Sequence, residues 1–317
     1  MPEVSVVIPN FNGLRFLENC FSSLKMQTLT DFEVILVDNG SSDESITFTR
    51  KHFPEVKIIE FPENMGFCRA VNEGIRQSCS PYVLLLNNDT EVRPDFLEEM
   101  TAAMKRHPRA FSCAARMVRF SERDRLDDAG NYYCVLGWAY ARGKGKPIGC
   151  YRKEEKIFAA CAGAAIYRRE LFSDVGFFDE EHFAYLEDLD IGYRAKLFGY
   201  ENWYAPRSVV YHVGSGTSGS RYNQFKTRYS SRNNVYLIYK NMALWQILLN
   251  LPFLIAGFGI KFLFFARKGM GKEYLAGIKN GFQISHKNRK LRVTGAKITQ
   301  VILIQFELWI NLFRRFL

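Results

Sequence analysis

The sequence predicts an α/β fold built on a doubly wound, mostly parallel sheet, followed by a helical C-terminal region. Short apolar runs rich in β-branched residues alternate with amphipathic helical patterns in the first part of the chain, as in a parallel sheet covered by helices. Beyond residue 240, basic residues are interleaved with long apolar stretches. We therefore expect an α/β domain over residues 1–240 and a basic, apolar helical tail over residues 241–317.

Four short runs predict the first strands of this sheet. Their apolar and β-branched content is typical of strands that are buried on both faces. They are VSVVI from Val4, FEVILV from Phe32, VKIIEF from Val56 and YVLLL from Tyr82. We expect each of them to lie inside the sheet.

Helical patterns lie between these runs and after the last one. Apolar residues recur at helical spacing, so each pattern predicts a helix with one face on the sheet. The first face comprises Phe16, Leu17, Cys20, Phe21 and Leu24, the second Phe67, Ala70, Val71, Gly74 and Ile75, and the third Phe96, Leu97 and Met100 after Pro94.

Polar groups stand where three of the four strands end. The ends read Pro9-Asn10, Asp38-Asn39 and Asn87-Asn88-Asp89. Asn and Asp are ordinary turn residues, so surface turns are one interpretation. Ligands of doubly wound sheets bind beyond the carboxyl ends of the strands, so a binding site at this edge is the other.

Three further segments follow in the second half. AACAGAA, residues 159–165, consists of small residues, which allow close approach of a ligand or of a packed helix. LEDLDIGYRAKLFG, residues 186–199, predicts a helix with acids in its first turn and glycine after its end. SVVYHV, from Ser208, predicts a strand that leads into GSGTSG, residues 214–219. That loop lacks the ribose-binding acid that a dinucleotide site requires about twenty residues later.

The net charge of +10 is concentrated in the tail, because residues 241–317 hold twelve Lys or Arg and two Glu. Basic residues interleaved with apolar stretches favour an anionic membrane surface over nucleic acid as the partner. Pro252 and Lys261 interrupt the longest apolar run, so we expect interfacial or re-entrant helices, with one transmembrane helix as the alternative. Seven cysteines without a C-x-x-C pair, and no leader pattern before the first strand, favour a reduced, cytosolic location.

Six blocks in order carry a family resemblance over about residues 3–240. They are VSVVIPNFNG, ILVDNGSSDES, NMGFCRAVNEGI, LLLNNDTEVRPDFL, CAGAAIYRRELFSDVGFFDE and YLEDLDIGYRAKLFGY. Together they resemble the family 2 glycosyltransferases, and most of all the bacterial enzymes that extend lipid-linked saccharides, including the rhamnosyltransferase-like branch. The resemblance implies a Rossmann-like GT-A catalytic domain, with the tail holding it at the cytoplasmic face of the membrane.

The resemblance also implies an activity. A sugar would pass from a nucleotide-diphosphate donor, dTDP-rhamnose or a UDP-sugar, to a hydroxyl of a polyprenyl-diphosphate-linked saccharide in cell-surface polysaccharide synthesis. Negative charge builds on the departing diphosphate, and a divalent Mg²⁺ or Mn²⁺ ion neutralises it best. The family's metal-binding block matches Asn87-Asn88-Asp89, so Asp89 is the expected carboxylate ligand, with Asn87 near the ribose or metal. His212 matches a family metal ligand; the alternative is a strand-end histidine bonded to backbone.

The resemblance assigns the donor nucleotide to the first two strand ends. Pro9, Asn10, Asn12, Asp38 and Asn39 are expected around the base and ribose. Asp38 could alternatively cap the helix that begins near Ser42, but Ser42 itself offers a cap, so we assign Asp38 to the nucleotide. Arg69 could reach the diphosphate or be a solvated helix residue.

The acceptor hydroxyl must lose a proton as it attacks the anomeric carbon, and a carboxylate is the usual base. The family's acid pair matches Glu187-Asp188, so Asp188 is the expected base and Glu187 the group that orients the acceptor. An acid that merely favours a helix N-terminus is the alternative. A base facing the leaving group implies direct displacement with inversion. Arg232 matches an R-N element and could hold a diphosphate or belong to a helix packing face.

Two rival functions remain open from the sequence. A nucleotidyltransferase would use two carboxylates on its metals and a glycine-rich basic loop after the first strand, and NFNGLRF lacks such a loop. A membrane-peripheral scaffold would bind sugar nucleotides without turnover, and an intact Asp188 argues against it. The oligomeric state cannot be derived from the sequence.

Overall fold

The computed structural model describes residues 1–214, 222–291 and 297–315, so GSGTSG beyond Gly214 lies outside the described residues. The strands are β1 (Val4–Asn10), β2 (Phe32–Asp38), β3 (Lys57–Glu60), β4 (Tyr82–Leu86), β5 (Thr90–Val92), β6 (Ala110–Arg119), β7 (Leu126–Asp128), β8 (Asn131–Cys134), β9 (Trp138–Ala141), β10 (Glu155–Ile157), β11 (Ala164–Arg168) and β12 (Glu201–His212). The helices are α1 (Leu14–Lys25), α2 (Ser45–His52), α3 (Phe67–Gln77), α4 (Phe96–Arg106), α5 (Phe172–Val175), α6 (Glu187–Leu197), α7 (Gln224–Asn241), α8 (Leu244–Arg267), α9 (Gly271–Lys287) and α10 (Ile298–Arg314).

Ten of the described strands form one sheet, whose main path runs β10-β12-β6-β11-β4-β1-β2-β3. β1 pairs in parallel with β2 and β4, and β2 pairs in parallel with β3. β11 lies antiparallel between β4 and β6. The predicted α/β sheet is confirmed. Because β1, β2 and β4 run in parallel side by side, their polar carboxyl ends meet at one edge.

Helices cover both faces of this sheet. Alternate residues of β1 point to opposite faces, so Val6 and Ile8 pack with one core and Val7 with the other. Helices α1 and α4 cover the first core, and α3, α5 and α6 cover the second. The apolar helix faces predicted from the sequence are the faces that are buried, apart from Phe16 and Phe67, which are half-buried.

One predicted strand differs from its expected environment. β3, within VKIIEF, is the last strand on its side of the sheet, and Ile58 and Ile59 are half-buried while Lys57 and Glu60 are exposed. The prediction that this run is buried on both faces is therefore wrong. Charged side chains suit an edge strand, because they discourage pairing with further strands.

The small-residue stretch allows close packing, one of the two uses expected of it; approach of a ligand stays a prediction. Gly192 of α6 packs so closely on Ala159 that a Cβ at Gly192 would lie 2.5 Å from that of Ala159. The Gly163 carbonyl accepts a hydrogen bond from the Asn87 backbone N–H over 2.8 Å. The stretch therefore brings α6 and the end of β4 close to the same backbone segment.

The tail packs on the α/β domain instead of standing apart from it. Leu254 of α8 and Ile304 and Leu308 of α10 share a core with Tyr133, Phe158 and Leu237. The boundary predicted at residue 240 lies one residue before the end of α7. Removing residues 241–317 would expose this shared core to water, so the tail contributes to the stability of the whole chain.

Helix α8 exposes a large apolar surface. Its buried residues form one stripe, Gln246, Asn250, Leu254 and Gly257, and most of its other side chains are apolar and exposed. Among the described residues, α8 alone is long and apolar enough to cross a membrane, a criterion of length and composition that buried helices also meet.

Candidate active site

A cleft of about 920 Å³ opens at the edge where β1, β2 and β4 end. The β8–β9 hairpin and the first turns of α6 and α7 complete its walls. Among the residues singled out from the sequence, the cleft is lined by Pro9, Asn10, Asn39, Asn87, Asp89, Glu187, Asp188 and His212. The structure thus gathers eight residues from five separate segments around one cavity. Asn12, Asp38, Arg69 and Arg232 lie around it and make the contacts described below.

The Asp38 carboxylate hydrogen-bonds to Asn10 and to the loop after β2 in this structure. Its Oδ1 accepts a hydrogen bond from Asn10 Nδ2 over 2.8 Å, and its Oδ2 accepts one from the Ser41 backbone N–H over 2.9 Å. Asn88 Nδ2 donates to Asn10 Oδ1 over 2.7 Å. Asn10 is therefore fixed between two strand ends, and Asp38 orients it. A direct contact between Asp38 and the nucleotide stays a prediction.

The loop after β1 is tied to the loop after β2. Asn12, with φ of 51°, accepts a hydrogen bond from the Ser42 backbone N–H over 2.8 Å. Helix α2 begins at Ser45, and the Asp43 carboxylate accepts the Ser45 backbone N–H over 3.2 Å. The expectation that Ser42 caps this helix is wrong, because Asp43 stands closer to the first free N–H groups. Asn12 thus helps to hold the rim of the cleft.

Asp89 and His212 meet at the floor of the cleft. Asp89 follows β4 and His212 ends β12, and His212 Nε2 lies 3.4 Å from Asp89 Oδ1. The other imidazole nitrogen, Nδ1, lies 2.8 Å from Asp127 Oδ2. The Asp89 backbone carbonyl accepts a hydrogen bond from Val213 N–H over 3.0 Å. The structure therefore brings together the two residues expected to bind a metal, with Asp127 orienting the histidine.

The electrostatics of this group fit a cation. Burial lowers the pKa of His212, but the hydrogen bonds and negative charges of Asp127 and Asp89 outweigh burial and raise the pKa to about 9. The pKa of Asp127 is held well below its usual range, because its bonds to His212 and Lys144 outweigh its burial. The two carboxylates thus hold a positive charge on the imidazole itself, and a metal cation bound by Asp89 and Nε2 would take the place of the proton on that nitrogen. Oxygen and imidazole donors suit Mn²⁺, and Mg²⁺ accepts the oxygens.

Glu187, which is buried, and Asp188, which is half-buried, form a pair of acids at the start of α6. Asp188 Oδ2 accepts a hydrogen bond from Asn131 Nδ2 over 2.7 Å, and its Oδ1 accepts the Leu189 N–H over 2.7 Å. Burial raises the pKa of both carboxyls, and the charge of Asp188 raises that of Glu187 further. Asp188 takes up a proton more readily than an exposed aspartate does, as a general base must.

Asn131→Ala is expected to move the acidic limb of the pH–kcat profile to higher pH. Asn131 donates to the ionised form of Asp188 and so lowers its pKa. Without that donor the pKa rises, and the base is protonated over a wider acidic range. A hydrogen bond to a charged group corresponds to roughly one pH unit. The measurement is kcat from pH 5 to 9 for both proteins, and an unmoved limb would contradict the role of Asp188.

A strained loop leads into the acid pair. Phe183, Tyr185 and Leu186 have φ of 59°, 73° and 66°, in the left-handed region that residues with bulky side chains rarely adopt. Such conformations cost about 1–3 kcal/mol each and persist only where the surroundings fix them. All three residues line the cleft.

Asn233 and Arg232 of α7 fix that loop. Asn233 Nδ2 donates to the carbonyls of His182, Ala184 and Tyr185 over 2.7–2.8 Å, so its two hydrogens are shared among three acceptors. Arg232 Nη2 donates to the carbonyl of His182 over 3.0 Å. Arg232 therefore supports the loop in this structure, and its contact with a diphosphate stays a prediction.

Asn233→Ala is expected to lower kcat at least tenfold while nucleotide binding persists. The substitution removes the side-chain donor of the Ala184 and Tyr185 carbonyls and one of the two donors to the His182 carbonyl, at a cost of about 1–3 kcal/mol, and releases the strained segment before Glu187. Turnover and nucleotide-induced stabilisation measured side by side test this. Asn288→Ala is the matched control, since Asn288 Nδ2 also bonds a backbone carbonyl, that of Ile284, in α9. Full kcat in Asn233→Ala would refute the positioning role.

Arg69 bonds to an acid of the loop before α6. Its Nη1 donates to Glu180 Oε2 over 2.9 Å, and its side chain is 44% exposed. In this structure Arg69 links α3 to that loop. This arrangement agrees better with a solvated helix residue than with a residue that contacts a diphosphate. Its role in donor binding stays a prediction.

A second cluster of possible metal ligands lies behind the loop. Asp179, His182 and Asp190 have ligand atoms within 4.8 Å of one another. Lys240 Nζ lies 2.6 Å from Asp179 and 3.1 Å from Asp190, and Arg194 lies 2.9 Å from Asp190. Two cationic side chains already neutralise these acids. We therefore assign this cluster to holding α6 and α7 together rather than to a metal.

Sequence reasoning missed three polar residues of the site. Asp127 orients His212, Asn131 bonds the proposed base, and Asn64 accepts a hydrogen bond from Asn39 Nδ2 over 3.0 Å. Asp127 and Asn131 belong to LDDAGNYY, which carries no helix or strand period that would mark them. The only available signal was a pair of acids before a glycine in a chain segment of loose pattern.

This fold and this site define a class of enzyme. Amide and carboxylate side chains stand together at one edge of the sheet, a carboxylate and an imidazole meet in the cleft at this edge, and a pair of acids lines the same cleft. These are the parts of a GT-A glycosyltransferase.

The chain belongs to glycosyl transferase family 2, whose model matches residues 5–176. It is 26% identical over 266 residues to the N-acetylglucosaminyl-diphospho-decaprenol L-rhamnosyltransferase of Mycobacterium tuberculosis, covering 76% of this chain and 86% of that enzyme. It is 25% identical to the poly-β-1,6-N-acetyl-D-glucosamine synthase of Staphylococcus epidermidis over 70% of this chain and about half (52%) of that enzyme.

A solved structure supports the fold assignment. The mannosyltransferase PcManGT from Pyrobaculum calidifontis, in complex with GDP-Man and Mn²⁺, aligns with a TM-score of 0.56 at 16% identity, covering 97% of this chain and 85% of that one. Identity at this level establishes a common fold.

Proposed function

We propose that this protein is an inverting, metal-dependent glycosyltransferase that transfers a sugar from a nucleotide-diphosphate donor to a hydroxyl of a lipid-linked saccharide. The observation that carries the proposal is that the Glu187-Asp188 acid pair and the Asp89–His212 pair line one cleft. One pair can accept a proton and the other can hold a cation at a leaving group. A binding scaffold needs no such base.

Each part of the cleft has a role in this reaction. Pro9, Asn10 and Asn39 hold the base and ribose, and Asn87 lies beside the diphosphate. Asp89 and His212 would hold the divalent metal, which when bound supplies positive charge to the departing diphosphate.

The transfer itself is a single displacement. Asp188 takes the proton of the acceptor hydroxyl as that oxygen bonds to the anomeric carbon, and the bond from this carbon to the diphosphate oxygen breaks. The nucleoside diphosphate leaves from the opposite face, so the configuration inverts. Glu187 orients the acceptor.

The name of a relative supports our choice of donor and acceptor. The mycobacterial relative is named as a rhamnosyltransferase acting on a polyprenyl-diphosphate-linked N-acetylglucosamine. We therefore propose dTDP-rhamnose or a UDP-sugar as donor and a polyprenyl-diphosphate-linked saccharide as acceptor, at the cytoplasmic face of the membrane.

A thermal-shift screen tests the donor. The detergent-purified chain is heated with dTDP, UDP, GDP or CDP, each with Mn²⁺, with Mg²⁺ or with chelator. Metal-dependent stabilisation by dTDP or UDP is the expected result, because a ligand that binds only the folded state raises Tm. Stabilisation of equal size with metal and with chelator would contradict the metal role. If none of the nucleotides raised Tm, the proposal itself would be contradicted.

The tail would hold this site at the membrane by lying on it. Asn250 Nδ2 donates to Gln305 Oε1 over 2.8 Å, which joins α8 to α10. A Cβ at Gly257 would lie 2.0 Å from the Leu136 carbonyl oxygen, so α8 touches the domain two turns farther on as well. A helix held along its side by protein exposes only its outer face to lipid. We therefore propose a monotopic, interfacial mode in which the exposed apolar faces of α8 and α10 enter the bilayer surface.

Replacing Leu248, Ile255 and Leu303 together by glutamine is expected to reduce binding to anionic liposomes at least tenfold. These side chains are 62%, 65% and 56% exposed on α8 and α10, and each that enters lipid contributes on the order of 1 kcal/mol or more. Co-sedimentation measures the loss. Glutamine at Met26, Ile148 and Phe177, exposed apolar residues of the α/β domain, is the matched control. Equal sedimentation of the two triple variants would exclude the proposed surface.

A further inference from the structure

The β8–β9 hairpin begins at the proposed base. Asn131, its first residue, donates to Asp188 and pairs with Ala141. Ala139, Tyr140 and Ala141 line the cleft. One end of this hairpin is therefore part of the catalytic cavity, on the side where the acceptor must enter.

The other end of the hairpin contacts the tail. Trp138 Nε1 donates to the Gly257 carbonyl of α8 over 2.9 Å. Val135 N–H donates to the Leu308 carbonyl of α10 over 3.1 Å, and the Tyr140 hydroxyl donates to the Asn311 carbonyl. Because the faces of α8 and α10 beyond these contacts are exposed and apolar, the hairpin connects the cavity with the proposed membrane surface.

Two arginines at the end of α10 lie against this hairpin. Arg315 Cζ is 5.2 Å from the ring centroid of Tyr140 and 5.6 Å from that of Trp138, and Arg314 Cζ is 5.3 Å from that of Tyr132. Both residues are exposed. Arg314 Nη1 donates to the amide oxygen of Asn311 over 3.2 Å, and neither arginine is in an ion pair among the described residues. Two positive charges are thus held on aromatic rings beside the cleft without acidic partners.

We propose that Arg314 and Arg315 bind the diphosphate of the lipid-linked acceptor, an assignment that rests on the proposed function. Guanidinium groups bind phosphate oxygens with paired hydrogen bonds. Arg315 lies over the ring of Tyr140, and Tyr140 and Asp188 both line the cleft, so a diphosphate at this arginine and a hydroxyl at Asp188 would border one cavity. The saccharide then lies along the hairpin with its hydroxyl at Asp188, and the isoprenyl chain follows the apolar faces of α8 and α10.

The test measures the affinity of the full chain in detergent for farnesyl diphosphate, a lipid diphosphate without sugar. Saturating dTDP or UDP with Mn²⁺ is present to fill the donor's own diphosphate site. Arg314→Gln/Arg315→Gln is expected to weaken binding at least about tenfold. The matched control is Lys272→Gln/Lys279→Gln, which removes two exposed charges from α9 and is expected to bind as the unmodified chain does. Equal affinity of the two double variants overturns the site.

Two further arms identify the source of the phosphate. Inorganic pyrophosphate is expected to bind more weakly than farnesyl diphosphate, because it lacks the apolar chain; equal binding overturns the assignment to a lipid. Both double variants are expected to co-sediment equally with phosphatidylglycerol vesicles. If only the arginine variant lost binding to these vesicles, Arg314 and Arg315 would serve general attraction to anionic membranes, and the proposed diphosphate site would be refuted. Failure of all nucleotides to stabilise the chain would refute the proposed function, while the farnesyl diphosphate result would still decide the arginine site.

Discussion

Asp188→Asn is expected to lower kcat by about 10²–10⁴-fold, the usual contribution of a positioned general base. Asparagine keeps the size of the side chain, its Oδ1 can still accept the Leu189 N–H, and its Nδ2 can donate to Asn131 once that amide turns to present its oxygen. The asparagine amide does not take a proton from the acceptor hydroxyl. In the proposed function, other residues of the cleft bind the donor. Stabilisation by nucleotide and metal should therefore stay within error of the unmodified chain. Steady-state turnover and thermal shift on the same preparation measure both quantities.

The control for this variant is Asp124→Asn, the same chemical change at an exposed carboxylate whose side chain is 75% exposed. It should leave turnover unchanged. If Asp188→Asn retained the turnover of the unmodified chain, Asp188 would not be the base and Glu187 would take its place as the candidate. If both nucleotide binding and turnover were lost, the acid pair would be required for the stability of the fold rather than for catalysis.

Asp89→Ala is expected to abolish the metal-dependent part of donor binding. Asp89 supplies the carboxylate closest to His212 Nε2, at 3.4 Å, and removing a carboxylate ligand should weaken metal affinity by on the order of 100-fold or more, beyond the effect of losing an outer partner. The nucleotide would then bind through Asn10, Asn39 and the strand ends alone. Titration of dTDP or UDP with Mn²⁺ and with chelator should give nearly the same affinity for this variant.

The companion variant Asp89→Asn distinguishes the effect of losing the negative charge from the effect of losing the side chain. It fills the same space and keeps an oxygen ligand, so a partial loss of Mn²⁺ dependence is expected. Mn²⁺ dependence that survived intact in Asp89→Ala would contradict the metal site at Asp89 and His212. In that case Asn87-Asn88-Asp89 would be a structured turn that ends a buried strand.

Much of the fold followed from local pattern. β1, β2 and β4 and helices α1, α3, α4 and α6 overlap the predicted segments, because continuous apolar runs mark buried strands and a period of about 3.6 residues marks the buried side of a helix. The burial of VKIIEF was predicted wrongly, because the residue pattern of a strand does not give its position in the sheet. A run rich in isoleucine and valine looks the same at the edge as in the interior.

The site residues divide in a similar way. Those at strand ends and at the first turn of a helix, such as Asp89 and Glu187-Asp188, were identifiable because position within an element marked them. Asp127 and Asn131 were not, because each acts on a partner more than fifty residues away. Asp38 and Arg232 carry the expected residue types, yet in the structure they hydrogen-bond to neighbouring protein groups.

The amino-acid sequence by itself determined the alternation of strands and helices, the polar ends of three strands, the acid pair and the basic, apolar tail, since each depends on residues close together in the chain. Only the tertiary structure decided that His212 meets Asp89, that Asn233 holds the strained loop before Glu187, and that the tail packs through α8 and α10 on the hairpin beside the cleft. The reason is that contacts between distant segments depend on sheet order and helix packing, which no local period encodes.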